Sequence, residues 1–199
     1  MRRSDVDLIV EDVGHERFVR ALVQRVAEEV GVGVRITVLN AHGGRGKATS
    51  ELVALQHALA AEERTGDMLV VVIDANCKGA SAVRSEILGS IRDDLFRVPV
   101  VGCPDPHVER WYLADLVGLK RSLGVSAKLP KEKCGKSAYK TLLREALQDA
   151  GHVVTLGGAE FADEIVAAMD LYKAGKSDPS LRRFIDDLRG ALKSLIATD

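Results

Sequence analysis

Acidic residues follow three of the four apolar runs in the first half of the chain. Glu11 comes after the first run, Asp74 after the third, and Asp105 and Glu109 after the fourth. Parallel strands bring their C-terminal ends to one edge of a sheet, so these acids are expected to lie together. Clustered carboxylates repel one another unless protons or a hard cation such as Mg²⁺ or Mn²⁺ compensate. The pattern predicts a metal site, although a helix cap or a solvated loop acid remains open at each position.

The apolar runs alternate with helical patterns in a way that indicates an α/β fold. The predicted strands are 6–10, 34–39, 68–73 and 98–101, and the predicted helices are 16–30, 49–64 and 81–95, with Ser81 as a helix N-cap. The third run is almost wholly apolar, which is typical of a strand buried on both sheet faces. Pro99 favours an edge position for the fourth. Such alternation predicts a mainly parallel four-stranded sheet flanked by helices.

Beyond Pro106 the strand pattern ends and helical patterns take over. They cover 107–116, 137–150, 160–172 and 181–196, with breaks at glycines and at Asp178-Pro179. We expect two parts, an α/β core at 1–116 and a helical C-terminal extension at 117–199. The extension should pack on the core rather than fold as a separate domain.

Composition restricts the class of protein. The chain has 199 residues, of which 46% are hydrophobic, and a formal charge of -1, so one core is expected and no global field attracts nucleic acid. The three cysteines are an odd number without a C-x-x-C pair, which argues against disulfides and zinc and favours a reducing cytoplasm. No apolar stretch approaches the ~20 residues that span a bilayer. These features predict a soluble, cytoplasmic protein with no membrane contact.

Local basic segments are the candidates for nucleic-acid contact. Residues 117–147 carry eight cationic side chains and two acidic ones, an excess of +6. A glycine-rich loop at 41–47 can cradle a phosphate ahead of a helix. The predicted nucleic-acid-binding residues are Arg45, Lys47, Lys78, Lys131, Lys133 and Lys136. A solvated face for the basic segment, and a flexible connection for the loop, explain the same residues and remain open.

Histidines show no metal-ligand spacing. The five are His15, His42, His57, His107 and His152. His107 is expected at a helix start rather than as a ligand.

Three segments carry a family resemblance. LIVEDVGHERF, VVVIDANCKG and VPVVGCPDPHVERWYLAD, in this order, resemble the TOPRIM-like proteins related to OLD-group nucleases and to uncharacterised bacterial defence-type proteins. That family shows Glu-Gly after strand one, Asp-x-Asp after strand three and Pro-x-x-Glu-x-Trp-Leu-x-Asp after strand four. The resemblance covers about residues 5–116 and implies a TOPRIM-like, Rossmann-like fold.

The resemblance assigns roles residue by residue. Glu11 matches the acid that ligates metal or transfers a proton, Asp74 matches a direct metal ligand, and Glu109 matches the glutamate before the tryptophan. Two departures stand out, since Asp12 replaces the usual glycine and Asn76 replaces the second aspartate. An asparagine carbonyl still coordinates a hard cation, but with a dipole instead of a full charge, so metal affinity should fall.

Two functions follow from the resemblance. The first is a magnesium- or manganese-dependent nuclease that hydrolyses DNA or RNA, with a role in phage defence. Its catalytic residues would be Glu11, Asp74 and Glu109, and its metal ligands would be these three with Asn76. The alternative is a non-catalytic binding or regulatory subunit beside a separately encoded ATPase, since the chain lacks a P-loop of its own. Either one is compatible with an oligomer.

Overall fold

The computed structural model describes residues 3–39, 43–135 and 137–196, and it contains one parallel sheet. Its strands are β1 (Ser4–Val10), β2 (Val34–Leu39), β3 (Gly66–Val72) and β4 (Phe96–Gly102), in the order β2-β1-β3-β4. This confirms the α/β class and the four-stranded parallel sheet. It also confirms the edge position of Pro99, which pairs with Leu69 on one side of β4.

Strand burial follows position in the sheet. From Met68 to Val72 every residue of β3 is fully buried, because β3 has a neighbour on both sides and helices on both faces. Strand β2 lies at the other edge and alternates between half-buried and exposed residues. The almost wholly apolar run at 68–73 therefore correctly indicated a strand inside the sheet rather than at its edge.

Three helices cross over between the strands, namely α1 (Val13–Val30), α2 (Gly44–Ala61) and α3 (Ala80–Leu88). Helix α2 begins five residues before the predicted start at 49, so part of the expected glycine-rich loop forms its first turn; residues 41 and 42 lie outside the described part. Helix α3 begins after Gly79, whose φ is 90°, rather than at a Ser81 cap, and it ends before Gly89.

The C-terminal part is helical throughout its regular structure. It contains α4 (Glu109–Tyr112), α5 (Leu116–Leu123), α6 (Ala138–Asp149), a 3-10 turn (Ala159–Phe161), α7 (Ala162–Ala168), α8 (Leu171–Ser177) and α9 (Pro179–Ile196). Two predicted helices are each divided. Asp115 accepts hydrogen bonds from the amides of Gly118 and Asp170, and Asp170 in turn caps α8. Non-helical residues at Asp115 and at Asp170 therefore interrupt the two predicted helices.

The core has one layer on each face of the sheet. Alternate strand residues point to opposite faces, so Leu8 and Val70 pack with α1 and the C-terminal helices, while Ile9 and Val71 pack with α2 and α3. Trp111 joins the C-terminal helices to this core, since its ring stacks on Phe184 of α9 with centroids 5.2 Å apart. Among the described helices, none combines the length and apolarity needed to cross a bilayer.

Gly102, at the end of β4, leaves room for this aromatic packing. A Cβ at this position would lie 2.8 Å from Phe184 and 3.0 Å from Trp111. We therefore expect Gly102→Ala to lower the unfolding free energy by about 1–3 kcal/mol, measured by urea denaturation. As a control, Gly190→Ala in α9 meets no atom within 4 Å and should raise it by up to ~1 kcal/mol. Equal stability of the two variants would contradict the close packing of Gly102.

Candidate functional site

The turn from β1 to α1 places two acids and a histidine at the C-terminal edge of the sheet. Glu11 and Asp12 form the whole connection between the strand and the helix. Asp12 caps α1, since its Oδ1 accepts a hydrogen bond of 3.0 Å from the His15 amide. This cap brings the His15 side chain inward, where the residue is only 1% exposed.

Asp74 is held in place by hydrogen bonds between the two loops that follow β3 and β4. The amide of Ala75 donates to the carbonyl of Pro104 at 2.7 Å, and the amide of Asn76 donates to that of Pro106 at 3.0 Å. The pairing of the two strands therefore continues past their ends. As a result, His107 lies against Asp74, with Nδ1 3.0 Å from Oδ2.

His15 bridges two carboxylates. Its Nε2 lies 2.8 Å from Oδ1 of Asp74, and its Nδ1 lies 2.9 Å from Oδ1 of Asp12. Burial disfavours the charged imidazole, but the hydrogen bonds from Asp12 and Asp74 outweigh burial and raise the pKa of His15 to about 10. His15 is therefore an imidazolium at neutral pH and donates from both nitrogens.

The carboxylates respond in the opposite direction. Burial opposes ionisation of Asp74, yet the hydrogen bonds from His107 and His15 lower its pKa. The hydrogen bond and charge of His15 likewise outweigh burial at Asp12 and hold the pKa of Asp12 well below its ordinary value. Both aspartates are thus anionic at neutral pH and lie against the His15 imidazolium, and the hydrogen bond from Asp74 raises the pKa of His107.

Glu11 has an oxygen that nothing in the described chain satisfies. Its Oε1 is buried and has no hydrogen-bond partner among the described residues. Burial raises the pKa of Glu11, the charge of His15 lowers it and the charge of Asp74 raises it, with a net increase. Ligand atoms of Glu11, His15 and Asp74 all lie within 4.8 Å of one another. This spacing fits a cation held by the two carboxylates, with His15 as a third ligand only when it is neutral.

Glu109 and Asn76, the other two predicted ligands, lie near Asp74, and Glu109 is not among the three acidic and histidine residues whose ligand atoms lie within 4.8 Å of one another. Glu109 begins α4 and is half-buried; burial raises its pKa, and the charge of Asp74 raises it further. Asn76 is exposed with φ at 48°, and its Nδ2 donates to the backbone oxygen of Asp74 at 3.4 Å. The structure thus brings together Glu11 and Asp74, as the sequence suggested, but adds His15 where Glu109 and Asn76 were expected.

His15, for which the sequence showed no metal-ligand spacing, lies within the candidate site. The sequence contained one usable signal, the Asp-x-x-His spacing from Asp12 to His15, which matches a helix cap followed by a side chain one turn away. His107 precedes α4, as expected of a helix-start residue, but it also hydrogen-bonds to Asp74.

The cysteines also correct the sequence analysis, since Cys77 and Cys134 form a disulfide with Cα atoms 6.1 Å apart. The expectation of no disulfide was wrong because the partners are 57 residues apart, and only the fold brings them together. Cys103 is the free cysteine; burial raises its pKa to about 12. The disulfide ties the loop after Asp74 to the basic segment before α6.

Lys78 directly follows Cys77 in the sequence, Lys131 lies three residues before Cys134, and both lysines are exposed. In the same segment, Lys133 is paired with Asp105 at 2.6 Å. The basic segment therefore lies beside the loops that carry the site. Lys136, also predicted to bind nucleic acid, lies outside the described residues.

The two candidates from the glycine-rich stretch are engaged in ion pairs. Arg45 lies 2.7 Å from Glu86, and Lys47 lies 2.8 Å from Glu51. Gly44 donates its amide to the carbonyl of Glu11 at 3.1 Å, so the start of α2 lies against the candidate site.

The fold and the site together define an α/β protein with a carboxylate–histidine cluster at the C-terminal edge of a parallel sheet. Comparison with protein-family models, with curated proteins and with solved structures finds no match for the chain. The function is therefore inferred from the geometry of the site and from the sequence motifs.

Proposed function

We propose that this chain is a TOPRIM-like phosphodiesterase that cleaves DNA or RNA with Mg²⁺ or Mn²⁺ bound by Glu11 and Asp74. The observation that carries the proposal is the buried, unpartnered Oε1 of Glu11 within the Glu11–His15–Asp74 group. Leaving a buried acceptor unsatisfied costs about 1–3 kcal/mol. A hard cation at this point would remove that penalty and would also offset the negative charge of Asp74.

Each residue of the site has a distinct task in this proposal. The bound cation would polarise the phosphate and activate water. Glu11 would hold this cation together with Asp74; its alternative role, when it does not bind the cation, is to take up and return a proton, for which its raised pKa is suited. His15 fixes the orientation of Asp74 from inside the protein. The side chain of His107 is 31% exposed, so its Nε2 can reach a phosphate oxygen, to which it donates when the ring is protonated and Asp74 holds its Nδ1.

The test is cleavage of plasmid, single-stranded DNA and RNA with magnesium or manganese. We expect Asp74→Ala to reduce metal-dependent cleavage at least about a hundredfold, because loss of a direct ligand should exceed the 10–100-fold effect of a supporting residue. Asp94→Ala is the matched control. Asp94 is 65% exposed and pairs with Arg92 just before the N-terminal end of β4, at the end of the sheet away from the candidate site. Absence of cleavage, or equal cleavage by the two variants, would refute the proposal.

One observation favours a second candidate, the non-catalytic binding or regulatory subunit. Both oxygens of Asp74 already accept hydrogen bonds from histidines, and Asn76 supplies no charge. Calorimetry with magnesium separates the two functions. No binding at millimolar metal would favour the subunit, and binding restored by Asn76→Asp would identify the missing charge as the cause. The resemblance further implies phage defence and a separately encoded ATPase as the setting for either function.

A further inference from the structure

Three surface cavities adjoin one another along the N-terminal half of α9. The first, of about 410 Å³, lies between the disulfide-tied segment and the start of α9. The second, of about 480 Å³, shares Pro179 and Ser180 with the first. The third, of about 350 Å³, shares Arg182 and Asp186 with the second. Neighbouring cavities share lining residues, so they adjoin one another along the surface of α9, and we call the three together the α9 cleft.

The α9 cleft is positively charged in a chain whose net charge is -1. Among the described residues, seven cationic side chains and four aspartates line it. Three of the aspartates have structural partners. Asp105 pairs with Lys133 at 2.6 Å, Asp187 pairs with Arg84 at 2.8 Å, and Asp178 caps α9 by accepting from the amides of its first turn. These pairs also neutralise Lys133 and Arg84, and Arg110 lies 3.7 Å from Asp178. In the described part of the chain, Arg182 and Lys176 are the cations of the cleft that have no acidic partner, and they suit a polyanion.

Two buried guanidinium nitrogens in this cleft have no acceptor. Nε of Arg84 and Nη1 of Arg110 are buried and make no hydrogen bond within the described part of the chain. Both residues line the cleft, in the second and the first cavity respectively. Other nitrogens of the two groups are satisfied, since Nη2 of Arg84 pairs with Asp187 and Nη2 of Arg110 donates to the carbonyl of Ser177. One N–H group of each arginine therefore lacks an acceptor, and a phosphate oxygen is an acceptor that arginine binds well.

An exposed aromatic ring lies at the far end of the cleft. Tyr172 is 71% exposed, which is unusual for a large ring in a chain that buries most of its aromatic residues. Nζ of Lys176 lies 4.5 Å from the centroid of the ring. An exposed ring beside cations is the arrangement on which unpaired bases stack in single-strand-binding proteins.

We propose that the α9 cleft binds single-stranded nucleic acid. The backbone follows the six residues Lys133, Arg110, Arg84, Arg182, Lys176 and Tyr172, and a base stacks on Tyr172. Single strands fit because a duplex has no unpaired base to offer the ring. At one end of the cleft, Asp105 lies in the loop after β4 that holds Asp74, and Lys133 pairs with Asp105, so the cleft leads toward the candidate site. This assignment of a substrate path rests on the proposed function.

Binding is measured without cleavage, by fluorescence anisotropy of a labelled oligo-dT strand in EDTA. We expect Tyr172→Ala to weaken binding at least about fivefold, the lower end for loss of one stacked base, and Tyr172→Phe to retain it. Arg182→Gln should weaken binding and reduce the slope of log affinity against log salt by about 0.7. Both residues are exposed, so these variants should keep the fold, which thermal unfolding checks.

The matched control is Arg92→Gln. Arg92 is 51% exposed and pairs with Asp94 just before the N-terminal end of β4, so affinity and salt slope should not change. Unchanged affinity in both Tyr172→Ala and Arg182→Gln, or tighter binding of a duplex of equal length, would overturn the proposal. Failure of the two proposals can be told apart. Binding that depends on Tyr172 but is not accompanied by cleavage would support the α9 cleft and refute the phosphodiesterase. Cleavage accompanied by binding that neither variant weakens would support the phosphodiesterase and refute the α9 cleft.

Discussion

His15→Gln is expected to lower the unfolding free energy by about 3 kcal/mol at neutral pH. His15 is buried, and the more buried of its two partners, the Asp74 side chain, is 11% exposed. Removing one partner of a buried ion pair typically costs about 3–5 kcal/mol. The lower end applies because the other partner, Asp12, is 54% exposed, so water screens that pair. Urea denaturation measures the change.

The control for this substitution is His57→Gln. His57 is exposed on α2, so its replacement should change stability by less than about 0.5 kcal/mol. Equal losses for the two variants would mean that the bridge from Asp12 to Asp74 contributes little to stability.

The same bridge predicts a dependence on pH. The pKa of His15 rises from 6.5 to about 10 on folding, so the folded state binds more protons between these values. The stabilisation is complete below pH 6.5, declines as pH rises and is lost above about pH 10. The stability difference between wild type and His15→Gln should therefore shrink between these two pH values. A constant difference would show that His15 is not a cation in the folded protein.

Reduction of the Cys77–Cys134 disulfide is the second large effect. The bond closes a loop of 57 residues, for which the chain-entropy relation gives a stabilisation of about 4 kcal/mol. We expect a reductant to lower the urea midpoint of the wild type. The double variant Cys77→Ser/Cys134→Ser should have that lower midpoint without reductant.

The double variant keeps Cys103, the free cysteine, and so serves as the control for effects of reductant that do not involve the disulfide. Cys103 is buried, and burial raises the pKa of its thiol to about 12, so it should react with a thiol reagent only after unfolding. Reductant should have no effect on the double variant. A similar drop in that variant would assign the effect to something other than the disulfide.

The sequence predicted the positions of the site acids because they depend on strand ends. Glu11 and Asp74 each follow an apolar run, and in a parallel sheet that local fact decides which edge they reach. The position of Pro99 on the edge strand was also predictable from a local fact. Proline has no backbone N–H and cannot donate the hydrogen bond that a central strand needs on both sides.

Features that depend on tertiary packing could not be predicted from the sequence. His15 enters the site only because the cap at Asp12 turns its ring toward Asp74. The pairing of Cys77 with Cys134 requires two loops to meet. Asp115 lies within the predicted helix 107–116, but in the structure it is the N-cap of α5, where its side chain accepts a hydrogen bond from the Gly118 amide. It also accepts a hydrogen bond from the amide of Asp170, 55 residues away.

Trp111 lies between Phe18 of α1 and Phe184 of α9, and this has a consequence for synthesis on the ribosome. The chain emerges from its N-terminus, so all four strands are available well before α9 is made. Until then, the face of the sheet that α9 covers has no partner for its apolar side chains. The native state of this domain can therefore form only after α9 has been translated, and a nascent chain stalled before α9 would expose that face to chaperones.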